Sequence, residues 1–289
     1  MPHFAYLQGE ETTMTTDDGT QTRGPQALAE ANFATYANPL VTEAIEEAAA
    51  LRNNADAEKL HKLRVALRRL RTLLWAYRPI LDAKFDNEQR DLFKSLASAA
   101  GNTRDWDILI ELVENDGDET LLNASRKNRN ETAEKSAETL RNSHLDETLR
   151  DAVSESNREL STSSARTPLT KFAQKRVKAA QDQLKKRMHH ASKAGGSDYS
   201  SYHDVRKAGK KVRYLIEFFE PLLKKKQRHG LKNLKQLQKR FGELNDVVAS
   251  RDLLNVHRAS LPDGVDTKAA LRALKKKQKR RIKAASKLL

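Results

Sequence analysis

An all-α fold is what this sequence predicts, on three observations. Glycine and proline are scarce, at 11 and 7 of 289 residues, too few for turn-rich sandwiches and other all-β architectures. Apolar residues recur at three- and four-residue spacings, with no sustained two-residue alternation. Charged residues reach 32%, which suits helices that each present a broad solvated face.

The elements follow in order. Stretches 26–36 and 40–51 flank Pro39 and read as two helices. A long helix over about 55–78 stops at Pro79. The next, over 85–99, is closed by Gly101 as a C-cap, and Asn102 or Thr103 caps a short helix reaching about Glu114. Asp116-Gly117-Asp118 is a turn. Residues 119–159 form one long or two shorter polar helices, whose sparse apolar positions suit the outside of a bundle. A Ser-rich linker, 161–168, ends in Pro168, which suits the first turn of a basic helix over 169–193; Gly195-Gly196 ends that helix. Stretches 199–220, 224–241, 245–257 and 265–289 complete the chain. The linker divides it into an N-terminal half, 25–160, and a C-terminal half, 169–289. Residues 1–24 are polar and Thr-rich, without the apolar segment of a signal peptide, and are expected to be a disordered leader.

Composition narrows the chemistry. The chain has no cysteine, which excludes disulfide scaffolds, thiol catalysis and cysteine-ligated zinc and suggests a reducing, cytoplasmic setting. Apolar runs are too short to span a bilayer. The formal net charge is +15, but its distribution is uneven. Residues 166–289 hold 34 Lys and Arg against 10 Asp and Glu, whereas residues 1–165 hold 20 against 29. A field this positive over half a molecule attracts polyanions: nucleic acid, polyphosphate or an acidic membrane surface.

An internal repeat sharpens that expectation. Residues 61–81 align without gaps on 203–223, sharing H-x-x-R-x-A-x-[RK]-[RK]-[LV]-R-x-L and a proline eight residues after the last arginine. Lys94, Leu96, Gly101 and Asp105 then match Lys235, Leu237, Gly242 and Asp246. Two halves built this way predict two similar helical bundles of four-helix type, packed about an internal pseudo-twofold with a basic groove or channel between them. On a helix, His61, Arg64, Arg68 and Arg71 fall within a sector of about 80°, beside a leucine stripe. His203, Arg206, Lys210 and Arg213 repeat the arrangement, and Lys207, Lys94, Lys235 and Lys239 complete the candidate binding set. Each ridge spans about 15 Å. Like charges stacked in this way destabilise a helix by a few tenths of a kcal/mol per pair, so their retention in both copies points to an anionic ligand or internal carboxylates.

These residues resemble the CHAD family, the conserved histidine α-helical domain. The resemblance rests on His61-x-x-Arg64-x-Ala66-x-Arg68-Arg69-Leu70-Arg71, Gly101-x-x-Arg104-Asp105-Trp106-Asp107, His203-x-x-Arg206-x-Ala208-x-Lys210-Lys211-Val212-Arg213-Tyr214 and Gly242-Glu243-Leu244-Asn245-Asp246. It covers the chain from about Gln26 onward. It implies two bundles about an internal twofold and a non-catalytic module that binds inorganic polyphosphate, often at cytoplasmic polyphosphate granules among granule-associated proteins. Family members fused to a triphosphate-processing tunnel domain carry an E-x-E-x-K strand, which is absent from this sequence. Gly209 departs from the pattern, standing where the first copy has Leu67.

Other constellations point away from catalysis. Asp105 and Asp107 diverge by about 200° on a helix, so they do not face one substrate; Asp105 instead suits a helix N-terminus or a ridge arginine, with Asp246 its twin. His189-His190 lack a third metal ligand nearby, and no phosphate loop, nucleophile elbow or dinucleotide fingerprint occurs. The sequence therefore implies no cofactor and no metal. The basic runs 185–187, 224–226 and 275–281 read as solvated faces or phosphate contacts. A nucleic-acid-binding module is the alternative, disfavoured because the ridges lack aromatics that stack unpaired bases. Histidines beside a polyanion favour their protonated form, so binding should strengthen as pH falls through about 6.5.

Overall fold

The computed structural model describes residues 27–51, 56–99, 101–114, 118–194, 198–228, 231–262 and 265–289. The leader, the Asp116-Gly117 turn and the Gly195-Gly196 break lie outside the described residues. The fold is all-α. In chain order the helices are α1 (Phe33–Ala50), α2 (Ala57–Tyr77), α3 (Ala83–Ala99), α4 (Asn102–Val113), α5 (Glu119–Asn142), α6 (Leu145–Thr162), α7 (Leu169–Ala194), α8 (Tyr199–Phe219), a single turn α9 (Lys225–Arg228), α10 (Leu231–His257) and α11 (Lys268–Ser286).

Local chemistry sets several of these boundaries. The side chains of Asp56, Asp118 and Asp198 accept hydrogen bonds from the free N–H groups that open α2, α5 and α8. Asp56 and Asp198 hold equivalent places in the two repeats, so the repeat reaches further upstream than its histidines. α1 runs through Pro39 without the expected break. Pro39 and Thr35, whose carbonyl loses its partner, both lie on the exposed side of the helix, where water can serve that carbonyl.

Gly242 is not a cap either. α10 continues through it, and an added Cβ there would meet nothing within 4 Å, so no neighbour forces the chain to turn. In the first copy the chain does break, between α3 and α4, but Gly101 is not a left-handed cap. Its φ is −102°, and its role is to let a side chain approach, as described below. α4 begins at Asn102 with Gly101 in the N-cap position, so the capping place expected of Asn102 or Thr103 falls to Gly101.

Helices of both halves share one main core. Tyr77 of α2 packs edge-on to Phe33 of α1 at 5.0 Å and tilts against Phe172 of α7 at 4.8 Å, while Tyr36 of α1 meets Phe219 of α8 at 5.1 Å. Tyr77, Phe218 and Phe219 are all buried. Each such ring contributes about 1.5–3 kcal/mol by leaving water. A second cluster gathers Trp106 and Leu109 of α4 and Leu121 of α5 with Val247 and Leu254 of α10 and Leu274 of α11. α5 and α6 lie on the outside, as expected, each burying a single stripe. The linker is tied down by residues 27–30: Ala29 N–H donates to Thr167 O, Leu169 N–H donates to Ala27 O, and the buried Glu30 carboxylate accepts from Thr167 N–H.

Candidate functional site

α2 and α8 bury their apolar stripes and meet along the edges where the two ridges run. Arg69 lies 4.0 Å from Glu217 and over the ring of Phe218. The ridges face a single cleft of about 1700 Å³, walled by α2, α3, α4, α7, α8 and α10. All twelve sequence-predicted residues line it: His61, Arg64, Arg68, Arg71, Lys94, His203, Arg206, Lys207, Lys210, Arg213, Lys235 and Lys239. The lining holds sixteen lysines and arginines against four aspartates.

The cations are of two kinds. Some are held by the protein's own acceptors. Arg64 donates to Gly101 O at 3.1 Å and lies 3.9 Å from Asp105. Arg213 donates to Gln238 at 2.9 Å and sits 3.1 Å from Glu217. Lys207 pairs with Asp204, which also holds Arg187. Arg78 and Arg90 flank the fully buried Asp86. By contrast, no carboxylate among the described residues lies within ion-pair distance of Arg68, Arg71, Arg206 or Lys210, and the buried Nε atoms of Arg71 and Arg206 have no hydrogen-bond partner.

That crowding shows in the acid–base balance of the cleft. Burial first, then Arg68, Arg206, Arg64 and Arg213, press the Lys210 amine down from its ordinary 10.5 to about 6. Lys211 is lowered to about 8 by burial and by Arg90 and Arg176, and Arg68 to about 10, chiefly by burial. Asp105 and Asp246, the twins of the repeat, are raised by burial against the pull of Arg64 and Arg206 respectively. Both histidines are lowered by burial, with Arg104 adding to the effect at His61 and Lys207 at His203. In the free protein they therefore charge below 6.5, not at it.

The two half-sites are not copies. His203 Nδ1 lies 3.1 Å from Asn245 Oδ1, which also accepts from the Tyr199 hydroxyl at 3.1 Å. The shared acceptor fixes the proton on Nδ1, so the neutral ring offers only an acceptor at Nε2. Where the second copy has Asn245 the first has Arg104, and His61 Nδ1 is buried without a partner. The close approach at Gly101 is also specific: a Cβ there would lie 2.9 Å from the Arg64 guanidinium.

Several lining residues lay outside the candidate binding set, some of them with a sequence signal. Lys211 belongs to the repeated motif, and Arg104 stands inside the Gly101–Asp107 motif, so both had a signal. Lys186 and Arg187 come from the basic run on α7, yet they line the cleft, while Lys185 does not. Trp75 also lines it, with Lys211 Nζ 4.1 Å and Arg176 Cζ 4.2 Å from its ring centroid. The His189-His190 pair is exposed, and among the described residues no cluster of three or more His, Asp or Glu could hold a metal ion. No helix among them is long and apolar enough to cross a membrane.

Residues 36–255 match the family model of the CHAD domain. The chain belongs to the CHAD family. That family is associated with polyphosphate binding. In three dimensions the chain is similar to the crystal structure of the CHAD domain from the plant Ricinus communis, with a TM-score of 0.72 at 23% identity over 91% of this chain and 92% of that one. It is also similar to PptA from Streptomyces chartreusis, with a TM-score of 0.63 at 15% identity over 91% of this chain and 98% of that one. No curated protein matches the sequence. Within the CHAD match lie α2, α4, α8 and α10, which bring both motif pairs to the cleft; α11 lies beyond it.

Proposed function

We propose that this CHAD protein binds inorganic polyphosphate in the cleft between α2 and α8 and does not transform it. The observation that carries the reading is the set of four ridge groups, Arg68, Arg71, Arg206 and Lys210, that line one cleft with no carboxylate among the described residues within ion-pair distance, three of them cations and the fourth an amine that a bound anion would recharge. A cationic chamber of that kind needs an external anion. Polyphosphate is a linear polyanion without bases, so its affinity must come from charge, guanidinium–phosphate pairing and counterion release. The cleft offers those and little else. Of the aromatics that line it, Trp75 and Tyr214 are buried, Trp75 carries cations over its ring, and the half-buried Tyr199 is engaged with Asn245 and His203, so the cleft offers a base little to stack on. In the cell this reading places the protein in the cytoplasm, at polyphosphate granules and among their associated proteins.

The test is a gel-shift or filter assay with polyphosphate. It compares the wild type with a combined Arg64→Ala, Arg71→Ala, Arg206→Ala, Arg213→Ala variant, with circular dichroism confirming the helices. Four lost charge-assisted contacts should weaken binding at least about a hundredfold. If about eight phosphates are neutralised, the log–log salt slope should be near −6. Unchanged affinity in the variant would remove the ligand from the cleft. Displacement by RNA at equal phosphate concentration would move the assignment to nucleic acid, and phosphate release above background with Mg²⁺ or Mn²⁺ would make the protein an enzyme.

A further inference from the structure

α11 carries a second cationic surface, and the cleft does not use it. The helix and its last turn contain no acidic residue over 268–289. Its inner side is an anchor: Leu274 and Ala270 are buried, Lys277 Nζ donates to Leu112 O, Arg281 pairs with Glu243 of α10, and Arg251 of α10 donates to Gln278. The other eight cations, from Lys268 to Lys287, are all exposed. At about 100° per residue they fall within one sector of about 140° and run for about 28 Å. No carboxylate among the described residues lies within ion-pair distance of any of them, and only alanine and serine share their sector.

This face is separate from the cleft. On α10 the cleft side is marked by Lys235, Gln238, Gly242 and Asp246, and the α11 side by Glu243, Val247 and Arg251. The two sides are about 135° apart around the helix, and no residue of α11 lines the cleft. A strand lying on α11 is therefore not the segment held between α2 and α8.

Chemistry selects the occupant. The apolar side of α11 is spent against α10, so the helix has nothing to insert into a bilayer. No aromatic accompanies the cations, so unpaired bases find no stacking partner. Duplex phosphates recede along a helical path from a straight ridge, whereas a flexible phosphate chain can follow it throughout. Six of the eight cations are lysines, point charges suited to a mobile string more than to a fixed bidentate seat. We infer that the outer face of α11 is a second polyphosphate-binding surface, so that one molecule, holding one strand in its cleft and another on α11, bridges two chains. The inference rests on the cleft reading for its first strand.

A sandwich assay tests it. Full-length protein is added to bead-bound long-chain polyphosphate, and co-capture of a fluorescent polyphosphate chain is measured. The α11 variant is Lys275→Gln, Lys276→Gln, Lys279→Gln, Arg280→Gln, Lys283→Gln; glutamine keeps helix propensity, and the anchors Lys277 and Arg281 stay. The wild type should co-capture the second chain. The variant should still be retained by the beads and should shift short-chain polyphosphate normally, while co-capture falls at least tenfold and the salt slope of bead binding falls by about 3–4. Co-capture equal to wild type in this variant would overturn the inference, as would displacement of the fluorescent chain by duplex DNA or by phosphatidylserine vesicles at equal phosphate. The cleft variant separates the two readings. If it still holds one chain, and adding the α11 substitutions abolishes that binding, α11 binds polyphosphate whatever the cleft does.

Discussion

Between pH 6 and pH 8 acidity should act on this protein chiefly through Lys210, with Lys211 titrating above it. The Lys210 amine is faced by Arg64, Arg68 and His61 from α2 and by Arg206 and Arg213 on its own helix, with Asp246 of α10 an opposing charge. Held at about 6, it is only about 9% charged at pH 7 in the free protein. A phosphate placed beside it restores the charge, so binding takes up about 0.9 proton at pH 7. Above pH 6 the charged fraction of the free protein falls toward tenfold per unit. Through Lys210 the affinity should therefore drop about 50-fold between pH 6 and pH 8, and Lys211, held at about 8, should add about a further twofold. Below pH 6 the Lys210 contribution flattens, and further strengthening comes from His61 and His203, both lowered below 6.5.

Titration calorimetry at pH 6, 7 and 8, in buffers of different ionisation enthalpy, reads both the slope and the proton count. Long chains keep their titrating end groups negligible. Lys210→Gln should bind more weakly, with a flattened slope and the proton uptake at pH 7 lost. The free protein should respond in the opposite sense. Between about pH 6 and the ordinary 10.5 the unfolded chain holds a proton that folded Lys210 lacks, so stability rises with pH across that window. Lys210→Gln should accordingly melt higher than wild type at pH 6, with the gap narrowing toward pH 9. Equal wild-type affinity at pH 6 and pH 8, or an unchanged slope in the variant, would refute this reasoning.

Three further outcomes follow from the packing. Gly101→Ala keeps a φ that any residue adopts but places a Cβ 2.9 Å from the Arg64 guanidinium and 3.1 Å from Ala97 O; polyphosphate binding should weaken about 2–10-fold in a gel shift while circular dichroism stays unchanged. Gly209→Leu, which restores the residue of the first copy, drives a Cβ to 2.9 Å from Leu237 Cδ2. It should cost about 1–3 kcal/mol and lower Tm by roughly 3–10 °C in a thermal melt. Of the two tryptophans, Trp75 shares the cleft wall with Lys211, whereas Trp106 lies in the second core beside His257. Polyphosphate should change the emission of the wild type and leave that of Trp75→Phe unaltered.

Much of this architecture was legible because the repeat states it twice. Asp56, His61 and Arg64 against Asp198, His203 and Arg206 show the same cap and the same ridge, and periodicity places both beside a buried stripe. What stayed hidden depended on the surroundings. Pro39 reads as a break until its carbonyl partner proves to face water. Gly101 and Gly242 read as equivalent caps, but one yields space to Arg64 and the other merely continues a helix. The same dependence governs the basic runs. Lys186 and Lys185 are neighbours of identical chemistry, and only the packing of α7 against α8 decides which of them reaches the cleft. The swap of Asn245 for Arg104 was visible as a letter, but its effect on the two histidines was not.

The unpaired ridge cations also bear on how a repeating ligand would reside. They lie side by side along two helices, and none marks a unique seat. Every unit of a phosphate polymer is the same as the next, so a long chain fits in many equivalent registers and can creep from one to another without fully letting go. Longer chains would then be retained longer on statistical grounds alone, with no added contact, and constants compared across chain lengths would have to be expressed per register.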